Sequence, residues 1–198
     1  MIDSVRGTIE AVGEEGILLR VGPVVLHVLA PPYFLHRLRE GQSLSMPMHL
    51  QIQIEGNRAV PIMVGFPDLS DREFFRRFIS VSGIGVRGAV KALVEPVRRV
   101  GAAIAGGDVE FLTTLKGVGR ARAKRIVAEL QDEMKKEFPA GEVQADRTAV
   151  SEASAVLMQL GIGASESRRL ASAAVSEAKD PENPSELVRL AMRMRSGS

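Results

Sequence analysis

In residues 1–66, apolar and polar positions alternate and are broken by short turn clusters. From residue 67 onward, apolar positions recur at helical spacing instead. The first pattern predicts half-buried strands and the second amphipathic helices. The predicted strands are Val5–Val12 with a bend at Gly7, Ile17–Val21, Val24–Leu29, Ser43–Ile54 and Arg58–Gly65. Turns are expected at Gly13–Gly16, Gly22–Pro23 and Glu55–Asn57, and Pro31–Pro32 ends the third strand because proline cannot donate to a ladder. A short helix or loop spans Tyr33–Arg39. Five strands in about 65 residues, with a break after the third, suit an OB-type β barrel. A meander sheet is the alternative.

Asp68, Ser70 and Asp71 are candidate N-caps for a helix whose Phe74, Phe75, Phe78 and Ile79 form a core stripe. Helices are predicted from Val86 to about Val94, from Pro96 to Gly106–Gly107, from Asp108 to Leu115, and from Arg120 to about Phe138. In the last of these, Ile126, Val127, Leu130 and Met134 make the apolar stripe. Pro139-Ala140-Gly141 breaks the helix, and residues 139–148, small and polar, read as a flexible linker. Three short helical runs follow: Val150–Leu160, Ser165–Ala178 and Ser185–Met194, the last two separated by Asp180–Pro184. So small a tail buries little core and suits protein docking better than catalysis.

One stretch occurs twice in the helical part. Val81-Ser82-Gly83-Ile84-Gly85-Val86-Arg87 and Leu115-Lys116-Gly117-Val118-Gly119-Arg120-Ala121 are each a Gly-apolar-Gly turn between helices, with first glycines 34 residues apart and Ala89 and Ala123 at matching offsets. Amides that open a helix have no intrahelical acceptor, and the helix dipole adds partial positive charge there. Glycine lets a phosphate approach them. Arg87 and Lys91 follow the first turn, and Arg120, Arg122, Lys124 and Arg125 the second. This is the pattern of paired helix-hairpin-helix motifs that hold a DNA backbone without reading bases. The candidate DNA-binding residues are Gly83, Ile84, Gly85, Arg87, Gly117, Val118, Gly119, Arg120 and Arg122, with the side chains of Ile84 and Val118 packing inside the hairpins. Two ordinary tight turns beside a solvated basic face is the plainer alternative.

Charge strengthens the DNA reading. Residues 1–70 hold 5 basic and 7 acidic residues (net −2), residues 71–137 hold 14 and 9 (net +5), and residues 138–198 hold 7 and 8 (net −1). A phosphate partner would be drawn to the middle segment. With one Tyr and no Trp, base stacking on aromatic side chains is a poor candidate for the binding mode. The chain has no Cys, and His27, His36 and His49 are scattered, so structural roles are expected for them and no metal site. There is no phosphate-binding G-x-x-x-x-G-K-[ST] loop and no carboxylate cluster with metal spacing. Neither ATP hydrolysis nor nuclease chemistry is expected, and no catalytic residue or cofactor is assigned. No apolar run approaches the roughly 20 residues of a membrane span. The N-terminus lacks a signal-peptide layout, so a cytoplasmic location is expected.

The expectation is an α+β multidomain chain: an OB-type barrel (1–66), a tandem helix-hairpin-helix domain (67–138), the linker (139–148) and a small three-helix domain (149–198). In that order the chain resembles the RuvA family of bacterial Holliday-junction-binding subunits. The resemblance is carried by Met1-Ile2 with Arg6-Gly7-Thr8-Ile9, by Val64-Gly65-Phe66, by Arg72-Glu73-Phe74-Phe75 leading to Ser82-Gly83-Ile84-Gly85, and by Leu115-Lys116-Gly117-Val118-Gly119 leading to Ala123-Lys124-Arg125-Ile126-Val127. Glu152–Gly161 looks like the start of the family's tail.

The resemblance implies a homotetramer, or an octamer of two tetramers, holding a four-way junction open on its basic face. It implies an acidic pin at the junction centre, here Glu55, and docking of residues 149–198 onto the hexameric ATPase RuvB. It also makes the resolvase RuvC a candidate partner. The chain departs from the family pattern in places. Glu55 is followed by Gly56 rather than a second acid, Lys116 replaces a common proline, and Ala121 stands where a basic residue is expected. Ile162 replaces a common aromatic, and Val21-Gly22-Pro23-Val24-Val25 replaces the usual barrel turn. A general helix-hairpin-helix duplex binder or repair enzyme is the leading rival, and a protein adaptor the second.

Overall fold

The computed structural model describes residues 2–138, 140–175, 178 and 183–196, without the side chains of Glu55, residues 140–147 and Ser196. Its elements fall into two compact units, Met1–Gln131 and Asp132–Ser198.

The first unit opens with five strands: β1 (Ser4–Val12), β2 (Gly16–Val21), β3 (Val24–Leu29), β4 (Ser43–Glu55) and β5 (Arg58–Gly65). They close into a barrel in the order β1-β2-β3-β5-β4, with β1 pairing back onto β4 and β3 running parallel to β5. This is the OB-type arrangement expected, and the closure excludes the open meander. Ile9, Ile17, Leu19, Val28, Met46, Met48, Ile62 and Val64 are buried by it. Gly7 marks a close approach of strands: a Cβ there would lie 2.4 Å from the Arg20 carbonyl oxygen. The ladder shifts register between Ile9 and Ala11, which places the bend just beyond Gly7.

A short helix α1 (Pro32–Leu35) follows β3. After the barrel come α2 (Leu69–Ser80), α3 (Val86–Ala92), α4 (Val97–Ala105), α5 (Val109–Thr114) and α6 (Arg120–Glu137). Of the candidate caps of α2, Asp68 takes the role, its Oδ1 accepting from the Asp71 amide at 2.9 Å. Asp108 caps α5 the same way on the Phe111 amide. Pro96 occupies the N-cap of α4, where its missing N–H costs no helical bond.

The barrel and the hairpin helices, separate regions by sequence, pack within one compact unit. Phe66 at the barrel's exit meets Phe75 of α2 at 4.9 Å between ring centroids, and His49 of β4 meets the same ring edge-on at 5.5 Å. Burial pushes the His49 pKa down, in keeping with the structural role expected for it. Tyr33 donates its hydroxyl to Asp71 and its amide to the Leu93 carbonyl, joining α1 to α2 and to the end of α3. Arg72 of α2 donates to the Asp3 carbonyl at 3.1 Å and pairs with the Asp3 carboxylate.

The second unit holds α7 (Ala140–Gln159), α8 (Ala164–Val175) and α9 (Pro184–Ser196). Of residues 139–148, expected from the sequence to be a flexible linker, Pro139 lies outside the described residues and the rest are helical instead. Residues 140–148 form the first turns of α7, and Ala149 is already buried in the core of the unit. Small polar residues favour a linker only weakly, and alanines among them favour helix. The core is rich in alanine (Ala149, Ala153, Ala171, Ala174, Ala191) around Leu157, Ile162, Leu170, Leu187 and Leu190. Gly161 ends α7 in the left-handed conformation (φ 85), and the Ile162 amide reaches back to the Leu157 carbonyl. That is a Schellman closure, and it explains why Ile162 is buried. Asp180, Pro181, Glu182 and the final Gly197-Ser198 lie outside the described residues. Among the described residues, no helix is long and apolar enough to cross a membrane.

Candidate nucleic-acid interface

The two repeated stretches fold into turns of the same geometry. In the first, Val81 is buried, Gly83 takes φ 87, and the Ile84 amide bonds the Val81 carbonyl at 3.1 Å. In the second, Leu115 is buried, Gly117 takes φ 79, and the Val118 amide bonds the Leu115 carbonyl at 3.0 Å. The next helix begins alike in both. Ala89 donates to Gly85 at 2.8 Å and Ala123 donates to Gly119 at 2.9 Å, with both alanines buried. Their small side chains fit at the corner where the two helices meet.

No side chain caps α3 at Gly85. The amides that open this helix are therefore left for an outside acceptor. Gly85 and Gly119 have open space where a Cβ would stand, so packing inside the protein does not demand glycine at either. A bare backbone there lets a phosphate oxygen reach the helix-opening amides. Ile84 is half-buried and Val118 buried, so both contribute backbone to the surface and side chain to the hairpin interior.

The basic residues do two jobs. Arg122 donates to the Gly117 carbonyl within its own turn. Arg125 donates to the Ser82 carbonyl at 3.2 Å, across 43 residues of sequence. A Cβ on Gly83 would lie 3.8 Å from Arg125 Nη1 and 4.0 Å from Arg122 Nε. The start of α6 thus sits against both turns and holds them side by side. Arg125 is absent from the sequence-derived site, because its reach into the first turn depends on tertiary packing. Its spacing from Arg122, one helical turn, was the available signal. Arg87, Lys116, Arg120 and Lys124 are exposed. Arg87 does not stand alone: with Lys91 and Lys116 it lines a groove beside the β1–β2 turn.

Glu55 ends β4, directly opposite Arg58 across a two-residue turn in which Gly56 takes φ 60. The placement of its side chain lies outside the described residues. The ribbon that carries it is exposed from Gln51 to Ile54 and from Gly56 to Ala59. The pairs Ile52/Pro61 and Ile54/Ala59 share one face, with Ile52 61% and Ile54 69% exposed.

Fold and site together define a class: an OB-type barrel packed on tandem helix-hairpin-helix turns whose free amides and cations suit a nucleic-acid backbone. Residues 75–132 match the family described as SAM-like helix-hairpin-helix tandem, and residues 1–56 match the family described as RuvA N terminal domain. Among curated relatives, a protein of Rhodopirellula baltica is 31% identical over 181 residues, covering 86% of this chain and 87% of its own. A Thermus thermophilus protein is 34% identical over 169 residues (85% and 86%), and one of Desulfosudis oleivorans 31% identical over 197 residues (94% and 95%). Each relative is named Holliday junction branch migration complex subunit RuvA. This chain belongs to the RuvA family.

Proposed function

We propose that the protein binds four-way DNA junctions by their backbone phosphates and serves as the non-catalytic DNA-holding subunit of a bacterial branch-migration complex in recombination and repair. The observation that carries this reading is the pair of geometrically matched turns, tied side by side by Arg125 of the second reaching the Ser82 carbonyl of the first. Each presents helix-opening amides beside exposed cations. The contacts are to phosphate, so they supply affinity and leave sequence unread.

Preference for a branched substrate needs more than one such surface. Four copies around a symmetry axis would present their turns to four duplex arms, and the β4–β5 ribbon tips, each with Glu55, would meet at the centre. Negative charge there would repel phosphates and part the strands. The helical tail would dock onto the hexameric ATPase RuvB, and Val156 and Met158 on α7, with Leu160 just past its end, leave apolar surface that suits such contact. The resolvase RuvC would share the same junction, and a second tetramer on the open face would make an octamer. The work proposed is that of a cytoplasmic protein.

A gel shift with a four-way junction, a linear duplex of the same arm sequence and a single strand tests the reading. The junction should bind most tightly. Equal affinity for junction and duplex would sink the junction assignment and favour a general helix-hairpin-helix duplex binder.

A further inference from the structure

Neither hairpin turn contains the groove that lies between the β1–β2 turn and α3. It has a volume of about 200 Å³ and draws its charged lining from Glu14, Glu15, Arg87, Lys91 and Lys116. The cations come from both halves of the repeat. Arg87 and Lys91 lie on the helix that follows the first turn, and Lys116 immediately precedes Gly117 of the second.

At the centre is Glu15, whose Oε1 lies 2.8 Å from Lys91 Nζ. Its pKa is lowered, first by the hydrogen bond and charge of Lys91, and further by the charges of Arg87 and Lys116. The backbone around Glu15 is pinned. Gly13 donates to the Gly16 carbonyl at 2.8 Å, and Ala30 donates to the Glu15 carbonyl at 3.1 Å. At Gly16 a Cβ would lie 2.2 Å from the Val28 carbonyl oxygen, so β2 and β3 approach closely right beside Glu15. The side chain itself is half-exposed, as is that of Lys91. Such an exposed ion pair is weak and easily exchanged. An anionic oxygen therefore already sits among three cations contributed by the two hairpins, on a side chain free to swing out.

We propose that Arg87, Lys91 and Lys116 form a further binding site for a DNA backbone phosphate, and that Glu15 occupies it in the DNA-free protein as an intramolecular competitor. The inference rests on the DNA-binding reading above. It adds a contact outside the turn amides and a brake on it. A lone phosphate must displace Glu15 with little gain, whereas a duplex already seated on both turns presents its phosphate to the groove at high local concentration. The brake thus acts most strongly on weak, partial encounters.

The test compares wild type, E15Q, E15Q/K91Q and E40Q by fluorescence anisotropy, with a labelled 30-base-pair duplex and a labelled four-way junction over a range of NaCl. Glu40 is an exposed acid outside the groove and controls for net charge. E15Q should bind duplex several-fold more tightly than wild type, with a log–log salt slope steeper by about 0.9, the effect of one more phosphate neutralised. E15Q/K91Q should lose most of that gain, and E40Q should show little of it. An E15Q affinity equal to or weaker than wild type would overturn the proposal, as would an equal gain in E40Q or a gain that survives K91Q. Matching thermal unfolding midpoints for E15Q and wild type establish that the fold is intact. Should wild type bind neither DNA, the DNA-binding reading itself fails. Wild-type binding without an E15Q effect removes this inference alone.

Discussion

Each hairpin turn carries two glycines for two different reasons. Gly83 and Gly117 sit at positive φ, where an L side chain costs about 1–2 kcal/mol. Gly85 and Gly119 do not; they face open space on the candidate DNA surface. The two kinds of substitution should therefore separate. Gly83→Ala should lower stability by about 1 kcal/mol in denaturant unfolding. Gly85→Ala and Gly119→Ala should change stability less yet weaken junction binding, because the methyl group stands where a phosphate would come. Equal loss of binding for a given loss of stability across all of them would contradict the assignment. The exposed cations make a second prediction. Arg87→Ala and Arg120→Ala should each weaken binding to all sequences alike and flatten the log–log salt slope by about 0.9. An unchanged slope would count against a phosphate contact.

Asp71, accepting from the Tyr33 hydroxyl where α1 meets α2, gives a prediction about pH. Burial raises its pKa from 3.8 to about 6, opposed by the Tyr33 hydrogen bond and assisted by the charge of Asp68. The folded protein thus holds this proton more tightly than the unfolded chain does. The stabilisation is fully present below about pH 4 and is lost as pH rises through about 6. Asp71→Asn removes that dependence. From pH 4 to pH 7, the difference in unfolding free energy between the two proteins should move in favour of Asp71→Asn by on the order of 2 kcal/mol. A difference that stays flat with pH would show that the carboxyl does not titrate in this range.

At the scale of elements, the β4–β5 ribbon and α7 are the parts that extend beyond what folding requires. The outer ribbon buries almost nothing, so changes at its tip should spare stability. Glu55→Gln should leave junction affinity and unfolding midpoint close to wild type while altering the rate of motor-driven branch migration. A large loss of affinity instead would make Glu55 a binding residue and not a pin. At the end of α7, Val156 and Leu160, the residue just past the helix whose amide bonds the Val156 carbonyl at 3.1 Å, are 40% and 58% exposed. Val156→Asp with Leu160→Asp should abolish binding to RuvB, measured by pull-down with the purified ATPase, and leave the gel shift with junction DNA unchanged. Retained RuvB binding would move the docking surface elsewhere in the tail.

For the molecule as a whole, the helical reach of α7 decides where the tail can be removed. A truncation at residue 149 would cut through α7 and leave its first turns without their core, whereas one after Phe138 keeps α6 whole. The shorter protein should still bind a four-way junction but no longer stimulate the motor. Loss of junction binding in that truncation would contradict the division of labour proposed here.

Much of this molecule is legible in the order of its residues. Alternation marked the strands, and β3 and β5 have the predicted ends, because the barrel's pleat and the turn chemistry of Gly22, Pro23 and Gly56 are local properties. The repeat of Gly-apolar-Gly with buried Val81 and Leu115 marked both hairpins for the same reason: positive φ, a helix start and a small corner residue are each written within a few positions. The tertiary structure decided what depends on distance. It closed the barrel through β1 and β4, and it packed barrel and hairpins into one unit through Phe66, Phe75, Tyr33 and Asp71. It turned the supposed linker into helix by giving Ala149 a core to enter. It also brought Arg125 to Ser82 and Glu15 to Lys91, contacts that no spacing rule could propose, since the groups that meet are separated along the chain and joined only by the packing of the elements between them.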